Sequence, residues 1–423
     1  MAVNCDGERT QRMVIGSCNP NAFVGAWARE QGLTVVDSLP FPDVGGLVVV
    51  ELPYGIDPNS EPPLIREKIK QDTINYFVEE DFLIRLTPRS LSPLSTVRSV
   101  QDGRQYYTIT DTVAFPAQYV GPATCEALQF RPGVAMPSTA GGDNIVVTVI
   151  DSGADTLLSS AVWDRHAYRG SSTPFVQSDG LGYDFINGDF SPDDQLGHGT
   201  AVAGAIVSNY RGSRPLTLVH YKIFNGYGEA TYFGAITAIY AAVQNGSDII
   251  NLSWGIPTEE TPLALQCAID YANDQGVIVV TSAGNETANV DTDPQWPAAY
   301  AGQDTFPNLI TVASYVDEND ALSLASFSNF GAQSVTLAAY AAAEAPKLGA
   351  TATGSTVYGT DVVYGTSIST PLVTRELATI LSNLPPDDST AIDHLLALLQ
   401  QQLQADQTRN GGVLLPLQCT TVP

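Results

Sequence analysis

Asn144-Ile145-Val146-Val147-Thr148-Val149-Ile150-Asp151 decides the fold class of this chain. Six consecutive β-branched residues, from Ile145 to Ile150, predict a strand. An unbroken apolar run, without polar alternation, marks a strand covered on both faces, the habit of parallel sheets flanked by helices. Ser152-Gly153 then turns the chain. Asp151 therefore stands at the carboxyl end of a buried strand, where open α/β sheets place their sites. A carboxylate there can accept an imidazole N–H, fix its tautomer and stabilise an imidazolium.

Three other stretches supply groups for that carboxylate. Gly197-His198-Gly199-Thr200-Ala201-Val202-Ala203-Gly204 puts a histidine between glycines, ahead of a small apolar run to Val207 that reads as a buried helix. The chain has 4 His, and His166, His220 and His394 lack such surroundings. Gly365-Thr366-Ser367-Ile368-Ser369-Thr370-Pro371 sets a hydroxyl just ahead of a helix start, where backbone N–H groups favour developing negative charge. The strand Val277 to Thr281 leads into Ser282-Ala283-Gly284-Asn285, whose side-chain amide can donate to an oxyanion.

Together these segments resemble the subtilisin-like serine proteases, the subtilase family, from about Asn144 to about Leu381, including Asp248-Ile249-Ile250-Asn251-Leu252-Ser253-Trp254-Gly255. The order Asp, His, Ser is that family's order, for which subtilisin is a worked case of the triad. The resemblance implies that Asp151 orients the base, His198 is the base, Ser367 is the nucleophile, and Asn285 with the Ser367 N–H forms the oxyanion hole. It implies an endopeptidase acting on polypeptides through an acyl-enzyme, with no cofactor for catalysis. A catalytically silent scaffold and a triad-based acyl transferase are the alternatives.

Family substrates bind as an added strand. The matching edges are Ser253-Trp254-Gly255 and Gly228-Glu229-Ala230, with Trp254 expected to wall the pocket for the residue before the scissile bond. Glu286 stands either at the mouth of that pocket or as a solvated turn carboxylate. Asp184, Asp189 and Asp193, in the loop before His198, are candidate ligands for a structural Ca²⁺, which takes about six to eight oxygens; an Asn/Asp-rich surface turn is the other reading. The chain departs from the family at Ile368, where Met is usual, and at Ala201, where a second His is frequent. Leu337 to Thr353 lacks the usual Ala-Pro-Gly turn.

The 423 residues suit two domains. Residues 11–81 read as strand, helix, strand, strand, helix, strand, the split βαβ (ferredoxin-like) arrangement, with Pro20 to Gln31 and Pro62 to Gln71 as helices. Tyr76-Phe77-Val78-Glu79-Glu80-Asp81 resembles the end of many subtilase propeptides, which assist folding and then block the cleft. The expected division is a propeptide domain at 1–85, a Pro-broken linker at 86–130 and a catalytic domain at 131–423, with Leu372 to Leu381 and Ile392 to Leu403 as its last helices.

With 45 acidic against 19 basic residues and a net charge of −26, nucleic acid and anionic membranes are excluded as partners. No run reaches the ~18 apolar residues of a membrane span. The polar start, Met1 to Thr10, lacks a signal core, yet the resemblance favours an extracellular protein. Five cysteines allow Cys5 with Cys18 and Cys125 with Cys419, leaving Cys267 as a buried free thiol in a helix.

Overall fold

The computed structural model describes residues 2–3, 9–19, 24–39, 46–53, 77–80, 83–86, 96–101, 104–109, 144–155, 166, 172–177, 180–208, 210–302, 306–318, 321–347, 359–384 and 414–415. Among these, seven strands lie parallel in the order Gly182–Asp184, Leu216–Lys222, Ile145–Asp151, Ile249–Leu252, Ile278–Ser282, Leu309–Glu318 and Leu337–Tyr340. Ala321–Leu324 and Leu414–Leu415 add antiparallel pairs. The Ile145–Asp151 strand comes first in the chain and third in the sheet. Later strands leave it first on one side and then on the other, so Asp151 lies at a topological switch point.

The unbroken β-branched run is explained by what covers it. Ile145, Val147 and Val149 share a core with Val202, Val373 and Leu377, from two helices on one face, His198–Val207 and Thr366–Asn383. Val146 and Ile150 share the other core with Ile236, Ile239, Leu265 and Ala268, from Tyr232–Gln244 and Leu263–Asp274 on the opposite face. Counting the N-terminal helix Val24–Glu30 as α1, these are α2 (His198–Val207), α3 (Tyr232–Gln244), α4 (Leu263–Asp274) and α5 (Thr366–Asn383).

The N-terminal unit pairs four strands antiparallel in the order Phe77–Glu80, Arg9–Ser17, Gly46–Pro53, Thr34–Ser38, the split βαβ order. Met13, Ile15, Val48 and Val50 pack with Val24, Trp27 and Ala28 of α1. The alternate residues Val14, Leu47 and Val49 join the core beneath the larger sheet on the α3/α4 side. Both faces of this small sheet are therefore buried, one by its own helix and one by the larger domain. The expected helix Pro62 to Gln71 and the last expected helix, Ile392 to Leu403, lie outside the described residues.

The cysteine expectation is corrected. Cys18, at the end of the Arg9–Ser17 strand, is disulfide-bonded to Cys267 of α4, with Cα atoms 5.3 Å apart. Near neighbours in sequence suggested Cys5 for Cys18, but docking of the N-terminal sheet on α4 brings together positions 249 apart. Cys267 is indeed buried, at 3% exposure, but is not a free thiol. Cys5, Cys125 and Cys419 lie outside the described residues.

Two further differences have local causes. Within the expected linker, Thr96–Gln101 and Arg104–Ile109 form an antiparallel hairpin. Asp102-Gly103 between two β-branched and aromatic runs is a hairpin signal that outweighs the surrounding prolines. And α5 starts at Thr366 rather than Leu372, with Pro371 inside it. Proline removes one N–H, the one that would bond the carbonyl four residues earlier, on Ser367. That carbonyl instead accepts the Ser253 hydroxyl at 2.9 Å.

Candidate active site

Asp151 ends its strand fully buried, and its Oδ1 accepts the Ser152 N–H at 2.7 Å. The same oxygen lies 2.7 Å from His198 Nδ1. His198 is the first residue of α2 and 1% exposed. A Cβ on Gly199 would overlap the Gly153 carbonyl, so glycine there lets α2 seat its first turn directly on the turn after Asp151. The Ser152 hydroxyl locks this contact by accepting the Gly199 N–H at 2.8 Å.

Gly197, the residue capping α2, supplies no side chain. Asp194 does the capping instead. Its Oδ1 accepts from the N–H groups of Leu196 and Gly197 at 2.9 and 2.8 Å, and its Oδ2 from the Thr200 N–H and hydroxyl at 3.0 and 2.7 Å. Burial alone would lower the His198 pKa. The charge and hydrogen bond of Asp151, with the charge of Asp194 behind them, outweigh it and hold the imidazole above its ordinary 6.5. The other ring nitrogen, Nε2, is buried with no hydrogen-bond partner among the described residues.

Ser367 lies in the first turn of α5, 4% exposed. Ile368, beside it, packs on Ala201 of α2. The departures at Ile368 and Ala201 are thus one contact, and it joins the helix starts that carry His198 and Ser367. Behind Ser367, Thr374 Oγ1 donates to Asn251 Oδ1 at 2.8 Å, Asn251 Nδ2 donates to Ser253 Oγ at 2.9 Å, and Ser253 Oγ donates to the Ser367 carbonyl.

Asn285 follows Gly284, whose φ of 105° suits glycine. Asn285 Oδ1 accepts the Thr366 N–H and hydroxyl at 2.9 and 3.0 Å, which fixes which end of the amide is left to donate. Asn329 braces this loop: its Oδ1 accepts the N–H groups of Glu286 and Ala288, and its Nδ2 donates to the Ala283 carbonyl. Glu286 is a turn carboxylate, accepting from Asn285 N–H and Asn329 Nδ2, each at 2.8 Å.

The cleft residues divide. Ser253 is buried in the relay behind Ser367. Trp254 is 2% exposed, donates its indole N–H to the Ile150 carbonyl at 2.9 Å, and packs edge-on to Phe224. A large apolar ring beneath a sheet end gains more from the core than from a solvated cleft. Gly255 is half-buried beside Gln295. Gly228 presents its carbonyl to the Leu86 N–H at 2.9 Å, and Glu229–Thr231 pairs antiparallel with Leu83–Arg85.

Asp184 and Asp189 pair across an isolated antiparallel bridge, with the Asp184 N–H donating to the Asp189 carbonyl at 2.8 Å, but the carboxylates are held separately. Asp184 accepts from the Ile186 and Asn187 N–H groups and from Asn187 Nδ2, and Asp189 from the Ser191 N–H. These carboxylates close their own turns, and no group of three or more His, Cys, Asp or Glu suited to a metal occurs among the described residues.

Sequence reasoning missed Asp194, Asn329 and Lys222. Lys222 donates its Nζ to the carbonyls of Ser152 and Phe224 at 2.9 and 3.0 Å, pinning the turn after Asp151. A lone Lys at a strand end gives no sequence signal, whereas an Asp four residues before the histidine helix could have been read as its cap.

The subtilase family model (peptidase S8) matches residues 142–409. Subtilisin DY of Bacillus licheniformis is 30% identical over 269 residues, which are 60% of this chain and 83% of that protein. Subtilisin of Bacillus pumilus is 32% identical over 252 residues, 58% and 79% of the two chains. The solved structure of fervidolysin from Fervidobacterium pennivorans, described as a keratinolytic enzyme related to subtilisin, is similar in fold. Its TM-score is 0.60 at 21% identity, covering 95% of this chain and 58% of that one.

Proposed function

This chain belongs to the subtilase family and is a serine-type endopeptidase, and we propose that it cuts peptide bonds through Asp151, His198 and Ser367. The observation that carries this reading is the buried Asp151–His198 bond of 2.7 Å, which leaves a buried Nε2, without a partner among the described residues, on a helix whose Ala201 packs against Ile368, the residue after Ser367. Burying a carboxylate and an imidazole costs several kcal/mol that a silent scaffold has no use for. Ser367 Oγ is not hydrogen-bonded to Nε2 here; in resting enzymes such bonds are often long and tighten once substrate is bound.

In the reaction, Ser367 Oγ attacks the scissile carbonyl carbon and its proton passes to His198 Nε2. The imidazolium is stabilised by Asp151. The oxyanion is received by Asn285 Nδ2 and the Ser367 N–H, an orientation that Thr366 enforces on the amide. His198 then protonates the leaving amine, and water, deprotonated by the same nitrogen, hydrolyses the acyl-enzyme. No cofactor enters, and calcium at Asp184, Asp189 and Asp193 is no part of this reading.

The N-terminal unit is read as an inhibitory propeptide. Leu83–Leu86 already occupies the Gly228–Thr231 edge as an added strand, the mode in which a substrate would bind. A disulfide suits an oxidising compartment, so we place the protein outside the cell, with polypeptides as substrates. No described helix is long and apolar enough to cross a membrane.

The test is expression of the wild type and Ser367→Ala. Only the wild type should shorten itself and take a fluorophosphonate label. A wild type that stays unlabelled even after the N-terminal unit is digested away would refute the triad.

A further inference from the structure

Three observations concern the seam between the N-terminal unit and the catalytic domain. Val14, Leu47 and Val49 are buried in the catalytic core cluster. Glu79 accepts from the N–H groups of Leu263 and Ala264, the first two residues of α4, and from the Tyr232 hydroxyl. It caps a helix whose own preceding residue, Pro262, supplies no side-chain cap. Across the same seam runs the Cys18–Cys267 disulfide. The first two contacts are non-covalent and end when the units part. The third does not.

We propose that the Cys18–Cys267 bond makes the N-terminal unit a covalently retained partner of the peptidase, held across any peptide-bond cut between them until a thiol reductant opens it. This rests on the propeptide reading above. A cut anywhere between Leu86 and Asn144 separates the two units along the backbone but leaves Cys18 and Cys267 joined. The inhibitory strand Leu83–Leu86 stays at its edge because a tethered partner rebinds at an effective concentration of order millimolar. Release requires a dithiol or two monothiols: their sulfurs become a disulfide, the Cys18–Cys267 bond breaks, and each cysteine gains one hydrogen. Cys18 lies in an exposed residue, whereas Cys267 is buried, so the reductant approaches from the Cys18 side. In an oxidising compartment retention is the resting condition.

The experiment uses the full chain bearing Ser367→Ala, with the recognition site of an unrelated specific protease inserted within residues 111–143. After cutting, the two fragments should stay together in denaturant without reductant and separate with dithiothreitol; Cys18→Ser should let them separate in both. Fragments that part without reductant would overturn the proposal. A tryptic map alkylated without reduction provides a check that needs no inserted site: Cys18 and Cys267 must appear in one linked peptide, and either found alkylated as a free thiol sinks the idea. In the Ser367 protein, reductant should raise peptide hydrolysis by the cut form on the order of a hundredfold, with no such dependence in Cys18→Ser. Measurable activity of the cut form that is equal with and without reductant would also overturn it. A protein inactive in every form, with the fragments still linked, would defeat the peptidase reading and leave the tether standing.

Discussion

At His198 three charges meet in a space closed to water, and their balance sets the pH range of the enzyme. Burial disfavours the imidazolium, but Asp151 and then Asp194 more than offset it. The base must be neutral to take the Ser367 proton, so kcat/KM should fall as pH drops, with a midpoint above 6.5. Asp194→Asn keeps an acceptor for the helix cap but removes its charge. The midpoint should move down, read from the pH profile of kcat/KM, and an unmoved midpoint would confine Asp194 to capping. The residues proposed for catalysis stood out in the sequence because each sits at a place physics marks: a strand end, a glycine-flanked helix start, a loop after a buried strand. Their braces were not. Asp194, Asn329 and Lys222 act through backbone groups that come near only after folding. The burial of Trp254 was not legible either, because an aromatic at a strand end reads the same whether it faces the surface or the core.

Elements carry the second lesson in α5. Its proline looked like a start signal and is instead an interior residue whose missing N–H frees the Ser367 carbonyl for Ser253. Ser253→Ala should cost about 1–3 kcal/mol by leaving that buried carbonyl unsatisfied. Adding Pro371→Ala restores an N–H four residues on and should recover part of the loss. Denaturant melts of both single variants and the double, in a Ser367→Ala background to prevent autolysis, measure this coupling. Strict additivity would mean that the two groups do not share the carbonyl. Three parallel strands, Ile145–Asp151, Ile249–Leu252 and Ile278–Ser282, were readable from their runs of β-branched residues, whereas Gly182–Asp184 and Leu337–Tyr340 carry no such run. The hairpin after Thr96 was hidden by the prolines around it, although the sequence carries the hairpin signal Asp-Gly between its two strands.

Over the whole molecule, two buried groups tie stability to pH in opposite senses. Burial lowers the His220 pKa from 6.5 to about 4. The unfolded chain then binds more protons than the folded one between those values, and stability is lost as pH falls from 6.5 towards 4. Burial raises Asp248 from 3.8 to about 7, a depressed preference for the charged form that removes stability as pH rises through the same range. The two slopes largely cancel. Asp248→Asn should therefore steepen the loss on acidification and stabilise the protein above pH 7, seen as urea midpoints at pH 4.5 and 7.5 in the Ser367→Ala background. A parallel shift at both values would break the linkage. The largest surprise to sequence reading also lies at this scale, since the Cys18–Cys267 pairing exists only once two units have docked.

The small sheet of residues 9–80 has oil on both sides, Met13 and Ile15 turned to α1 and Val14, Leu47 and Val49 to the larger body. Parted from that body it would carry a wet, greasy flank with nothing of its own to cover it. On the propeptide reading proposed above, a freed unit of this build is poorly fitted to last in the presence of a working peptidase. Its departure would be a one-way event, with digestion acting as the ratchet.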